Sequence, residues 1–279
     1  MEEGKADAEF RLDVEPGWMQ TLESRWIDDA GFSRAYGLLT TTQRATIKTG
    51  IAWLWRFWKV KNQPPGQVIT PWPDGTRSIE TRTTAPWLLV LLHPDARAPM
   101  MLLSAVVPAI LAGVQTIAVV RRRNRRRFPP TLLAALELGG VELAADCTSR
   151  EFECLVRGLA NESSAGRTIL LGPWESGFRT RAPLWSCPSW QEPEGLGVPD
   201  NLERHRDLET LAFAQSGCTT LAEAHSSDHR NREGTVFLSD SAPILGPGCE
   251  GLWCWPELGP KWFQNRTLSI VCDHEDTQP

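Results

Sequence analysis

Between Ala85 and Val141 short unbroken apolar runs alternate with longer apolar stretches of helical length. Trp87 to Leu92 is an unbroken apolar run, which predicts a strand buried on both faces. Pro94 and Pro99 bracket a turn-like segment. Met100 to Ala112 is small and apolar nearly all round, which predicts a buried helix, and Gly113 stands at the C-cap position. Thr116 to Val120 is rich in β-branched residues and predicts a second buried strand. Pro129 and Pro130 open a further helix over Thr131 to Leu138, closed by Gly139 and Gly140. Strand, helix, strand, helix of these lengths make a βαβα unit. The fold class that follows is α/β: a three-layer, mainly parallel sheet with helices on both faces. In such sheets ligands bind outside the carboxyl ends of the strands, here His93 to Pro99 and Arg121 to Phe128.

The flanking pattern is consistent with one Rossmann-like domain plus a small C-terminal extension. Residues 1–40 read as an N-terminal arm, helical in the middle of Trp18 to Tyr36. Thr42 to Lys59 predicts a helix capped by Thr41 or Thr42, with Ile47, Ile51, Leu54, Trp55 and Trp58 on its apolar face. Gln63 to Thr84 predicts a hairpin turning at Pro73-Asp74-Gly75. Glu142 to Ala145 reads as a short strand, and Thr148 with Glu151 forms a capping box for a helix over Arg150 to Leu159. Thr168 to Leu171 is another buried strand ending at Gly172-Pro173. Residues 41–173 thus form the main domain, 174–206 a Trp- and Pro-rich irregular connection, and 207–279 a segment that completes the sheet or makes a dimer contact. In that last segment Asp207 to Phe213 reads as helix, Gly234 to Leu238 and Arg266 to Val271 as strands, and Gly246 to Pro260 as loop.

Charge narrows the picture. The chain carries 29 basic and 34 acidic residues. Six of the arginines fall in Arg121–Arg127; without them the balance is 23 basic against 34 acidic. An acidic protein with one local basic cluster is not a general nucleic-acid binder. Guanidiniums at a strand's carboxyl end suit phosphate, so Arg121–Arg127 is a candidate polyanion site; a solvated loop paired with the excess acid is the competing reading. No apolar run reaches the ~18 residues of a membrane span. The seven cysteines lack any CxxC pair and follow no signal-like segment, which predicts free thiols and a cytoplasmic setting. Thirteen tryptophans against one tyrosine read as core rather than as a ligand surface. His225 and His229 have i, i+4 spacing, but in a very polar segment that reads as surface loop, so no metal site is assigned.

Several short motifs, in order, resemble histidinol dehydrogenase, a zinc- and NAD-dependent family. They are the Thr46–Trp58 helix with its hairpin, Ala105-Val106-Val107-Pro108-Ala109 with Ala112-Gly113-Val114, Leu132 to Val141, and Asn265-Arg266-Thr267-Leu268-Ser269-Ile270. The first two pieces are also similar to the cofactor domain of aldehyde dehydrogenases. The resemblance implies NAD as cofactor and, because the family is dimeric and shares its site between subunits, a homo-dimer or a hetero-oligomer with an intact homologue. It places cofactor contacts at His93, Pro94, Arg121, Arg122, Arg123, Asn124, Gly172 and Pro173.

The chain departs from that family where the chemistry lies. Only 33 residues separate Pro173 from Asp207, too few for the family's second sheet domain and its zinc-binding Gln and His. Thr219-Thr220 stands where the family has its catalytic Glu-His pair, and a hydroxyl is no general base near neutral pH. Zinc needs about three protein ligands, and the counterparts are missing. Three readings follow: a non-catalytic pseudoenzyme that binds a nucleotide-like ligand or a protein partner; an NAD(P)-dependent oxidoreductase of altered chemistry acting on an alcohol or aldehyde, with Cys254 or Cys218 as its thiol; and phosphate or polyanion binding through Arg121–Arg127.

Overall fold

The computed structural model describes residues 16–180, 185–193, 207–215 and 248–272. In chain order its elements are α1 (Gly17–Leu22), α2 (Asp29–Leu38), α3 (Thr41–Lys59), β1 (Gly66–Pro71), β2 (Thr76–Thr84), β3 (Trp87–Leu92), α4 (Pro99–Ala112), β4 (Thr116–Arg122), α5 (Pro130–Gly139), β5 (Leu143–Cys147), α6 (Ser149–Gly158), β6 (Arg167–Leu171), α7 (Ser176–Arg179), β7 (Ser189–Gln191), α8 (Leu208–Ala214) and β8 (Gln264–Cys272).

The main sheet has five strands in the order β5-β4-β3-β6-β7, every neighbouring pair parallel. Alternation in the buried strands explains how both faces are covered. Leu88, Val90, Leu92, Ile117, Val119, Ile169 and Leu171 pack on one face with α3, α4 and α5 residues such as Leu54, Met101 and Leu132. Leu89, Leu91, Ala118, Val120 and Leu170 pack on the other with Trp18, Phe152, Leu155 and Phe178. The sheet is therefore sandwiched between helices, as the period-2 and helical-length apolar runs predict. The chain builds outward from β3 through β4 to β5, then returns to β6 on the other side of β3. The reversal leaves a crevice at the carboxyl ends of β3 and β6, the topological switch point of the sheet.

Local signals account for the boundaries. Gly113 and Gly140 end α4 and α5 at φ +87° and +78°, conformations that favour glycine. Thr148 and Glu151 cap α6 reciprocally. Helix α3 has the same device one residue before the predicted caps, with Thr40 and Gln43. Eight of the tryptophans, including Trp18, Trp87, Trp174 and Trp253, are buried.

Four expectations change. Trp55 does not lie on the packed face of α3: it is 41% exposed. The 174–206 connection is not wholly irregular, because Ser189–Gln191 adds a fifth strand beside β6, and its three residues are too short to show a period in sequence. Strand β4 runs past Val120 to Arg122, so two of the arginines belong to the sheet. The C-terminal strand does not join the main sheet. β8 pairs antiparallel with β2, giving a separate sheet ordered β1-β2-β8. The physical reason is that its residues from Arg266 to Cys272 are exposed, whereas a place in the parallel sheet requires burial on both faces. The predicted Gly234–Leu238 strand and the segment holding His225, His229 and Cys218 lie outside the described residues.

Candidate functional site

Three segments leave the sheet at its carboxyl edge and meet in space. The first, after β3, is pinned where His93 N donates to Leu171 O at 2.8 Å. His93 is 7% exposed and stands edge-on to Trp174, ring centroids 5.2 Å apart. Its Nδ1 accepts from Asp95 N at 3.2 Å, so in this arrangement the ring proton belongs on Nε2. Burial pushes the imidazole pKa down, against the opposing pull of Asp95, so His93 stays neutral near pH 7.

The second segment follows β4. Arg121 is fully buried, and its Nη2 donates to Asn124 Oδ1 and Arg126 O, folding the arginine loop back on itself. Asp146 Oδ1 lies 3.7 Å from Arg121 Nε, and Arg121 Nε and Nη1 have no hydrogen-bond partner. Arg122 alternates to the other face, its guanidinium carbon 5.1 Å over the Trp174 ring and its Nη2 3.2 Å from Glu175 Oε1. Asn124 Nδ2 donates to Pro94 O at 3.2 Å and so ties the second segment to the first. Arg123, Arg125, Arg126 and Arg127 are exposed.

The third segment follows β6. Gly172 takes φ +98° and packs so closely that a Cβ there would lie 2.6 Å from His93 Cβ. Its N–H donates to Glu192 Oε2 at 2.6 Å. Burial raises the Glu192 carboxyl to about 7 in spite of that hydrogen bond and of Arg179 nearby.

These segments border a small cleft of about 30 Å³, lined by Leu92, Asp95, Arg97, Met101, Gly172, Pro173 and Glu192 among others. The N-terminus of α4 opens onto it, with Ala98 at the N-cap, Pro99 next and no side-chain cap. Such a terminus presents unpaired N–H groups and a positive dipole end, which suits an anion. Arg97 stands at the same edge, its Nη1 donating to Pro94 O and Ala96 O at 2.8 and 2.6 Å.

The structure thus gathers His93, Pro94, Arg121, Arg122, Arg123, Asn124, Gly172 and Pro173 at one edge of the sheet. It separates their duties. Arg121 is committed to the loop's own backbone, Arg122 is half-buried on Trp174, and Arg123 is exposed. Arg97, Glu175 and Glu192 are additions. Arg97 was within reach of a sequence argument, four residues after His93; Glu192 was hidden because the short β7 that delivers it carries no pattern. Cys254 is elsewhere: it is buried beside the α3 end, and burial pushes its thiol up to about 11, so it is held protonated. Among the described residues no group of three His, Cys, Asp or Glu side chains is placed to hold a metal ion. No helix among the described residues is long and apolar enough to cross a membrane.

No protein-family model matches the chain, and no curated protein matches it. Solved structures similar to it include histidinol dehydrogenase from Elizabethkingia anophelis, at 12% identity and TM-score 0.49, over 64% of this chain and 43% of that one. An indole-3-acetaldehyde dehydrogenase complexed with NAD+ is similar at 11% identity and TM-score 0.34, over 67% and 46%. An aldehyde dehydrogenase from Brucella melitensis biovar abortus is similar at 16% identity and TM-score 0.34, over 64% and 44%. The chain spans less than half the length of each. Likeness of this degree concerns the fold alone and carries no argument about activity; the α/β class rests on the strand order and packing described above.

Proposed function

We propose that this chain is a non-catalytic, dehydrogenase-like protein whose strand-end crevice binds a phosphate-bearing, nucleotide-like ligand. The observation that carries the reading is the uncapped α4 N-terminus standing beside Arg97 at the switch point of a parallel sheet. Both favour negative charge, and Gly172 leaves the crevice wall without a side chain that would intrude. NAD fits this chemistry: its pyrophosphate would be held by the α4 N-terminus and Arg97, and the group supplies hydride transfer when bound to an active enzyme. The exposed Val68, Trp72, Leu268 and Ile270 on the β1-β2-β8 sheet support a second copy or an intact homologue as partner.

One observation favours the enzymatic alternative, an NAD(P)-dependent oxidoreductase of altered chemistry. Glu192 lines the crevice with a carboxyl raised to about 7, a value suited to moving a proton at neutral pH. The experiment that separates the readings is a titration of the purified protein with NAD, NADP and coenzyme A, followed by calorimetry and melting temperature. Ligand at 100 times its Kd stabilises by about 2.7 kcal/mol, a shift of several degrees. Binding of one of them without turnover of alcohols or aldehydes supports the proposal. No binding by any of the three overturns it, and turnover that disappears in Glu192→Gln establishes the alternative.

A further inference from the structure

A larger groove, of about 480 Å³, lies where the end of α3 meets residues 256–262, and it shares no lining residue with the strand-end crevice. Its charge has one dominant sign. Lys61 and Lys261 contribute two ammonium groups, and the one carboxylate of the lining, Glu257, already accepts from Trp190 Nε1 at 2.8 Å. The Lys61 ammonium is held over two rings, 3.9 Å from the Phe57 centroid and 5.1 Å from that of Trp58, rather than against a carboxylate.

Two polar atoms of the lining residues are buried with no hydrogen-bond partner: Trp58 Nε1 and Asn62 Oδ1. Trp58 is only 4% exposed, and a buried N–H without an acceptor is costly to leave so. The groove is also fixed in shape. Asn62 Nδ2 donates to Leu111 O at 2.8 Å, and Gln264 Nε2 donates to Gln63 O at 2.6 Å. Gly259 packs on the Trp58 ring so closely that a Cβ would lie 2.7 Å from it, and Trp262 adds a second indole to the lining.

We propose that this groove is a binding site for a small organic anion with a flat aromatic body. Lys61 and Lys261 meet the charge, and the half-buried Trp262 supplies the apolar wall on which a ring packs. The charge balance of the lining selects an anion over a cation, and the Trp262 indole selects an aromatic body over inorganic phosphate.

The test uses a matched pair of probes, naphthalene-2-carboxylate and neutral naphthalene-2-carboxamide, titrated calorimetrically into the full chain. The carboxylate is expected to bind one per chain and at least tenfold more tightly than the amide. The double variant Lys61→Gln, Lys261→Gln is expected to lose that tenfold preference, and Lys61→Arg, Lys261→Arg to keep it, each with an unchanged far-ultraviolet circular dichroism spectrum and melting temperature. Arg122→Gln, in the other site, is expected to leave the preference intact. Equal binding of acid and amide, no binding of the acid, or a preference that survives the double glutamine variant overturns the proposal. The arginine pair keeps the result interpretable if the glutamine variant proves unstable: loss of preference in a folded arginine variant also counts against the site.

Discussion

The Gly172 backbone packs against the Cβ of His93, with no room for a second Cβ between them: an added methyl at Gly172 would sit 2.6 Å from it. Gly172 also has φ +98°, so Gly172→Ala is strained twice over. We expect it to destabilise the fold by about 2–3 kcal/mol. Thermal unfolding reads the loss. A variant as stable as the parent would show that the β6 terminus relaxes freely, and that the crevice is not held rigid at this point.

Glu192 makes stability depend on pH in the direction opposite to a paired carboxylate. Its folded-state value is about 7, above the ordinary value near 4.5 that it recovers on unfolding. The folded state therefore holds a proton that the unfolded state releases between these limits. Its contribution is fully present below about pH 4.5 and lost as pH rises through about 7, by at most about 3 kcal/mol. Denaturant titrations at pH 5 and pH 8 should show the fall, and Glu192→Gln should flatten it. An equal slope in parent and variant would assign the dependence to another group.

Arg167 fastens the start of β6 to the C-terminal segment. Its guanidinium donates to Trp262 O at 2.7 Å, Ala165 O at 3.0 Å, Gly166 O at 2.9 Å and Gln264 O at 2.7 Å, with the residue 4% exposed. Arg167→Met keeps much of the volume and removes four hydrogen bonds, of which that to Ala165 O has a second donor, Asn265 Nδ2 at 3.0 Å. We expect a loss of about 3–5 kcal/mol, measured by chemical denaturation. A loss under ~1 kcal/mol would mean that water replaces the guanidinium.

The thiols should divide by environment. Cys154 and Cys272 are exposed, whereas Cys147, Cys187 and Cys254 are buried and their thiols are pushed up, Cys147 to about 12 and Cys254 to about 11. At pH 7 the thiolate share at Cys254 is roughly one part in ten thousand. Mass spectrometry after brief alkylation should find label on Cys154 and Cys272 and none on Cys254 until the protein unfolds. Early label on Cys254 would revive its candidacy as a nucleophile.

What could be read from residues alone follows physical range. Trp87–Leu92 and Thr116–Val120 declare themselves because a strand buried on both faces admits only apolar side chains, and Gly113 and Gly140 because a left-handed cap favours glycine. Thr148 and Glu151 announce α6 through a rule of three-residue spacing. These are local constraints. Glu192 stayed invisible because its carboxyl is perturbed by burial against Gly172, twenty residues earlier, and nothing near it in sequence implies that contact. The arginine run misled in part for the same reason. Its six members look alike in sequence, yet strand alternation sends Arg121 into the interior and Arg122 onto Trp174.

The small β1-β2-β8 sheet has a consequence for the order in which the molecule is assembled. Glu80 meets Arg266 across a separation of 186 residues. On the ribosome the β1-β2 hairpin and the whole parallel sheet emerge first, at about 5–20 residues per second. For some ten seconds or more, β2 must present an unpaired edge until β8 is made. Glu80 and Arg82, set among Thr81 and Thr83, give that waiting edge a charged and polar character that discourages pairing with a neighbouring nascent chain until Arg266 arrives to pair with Glu80.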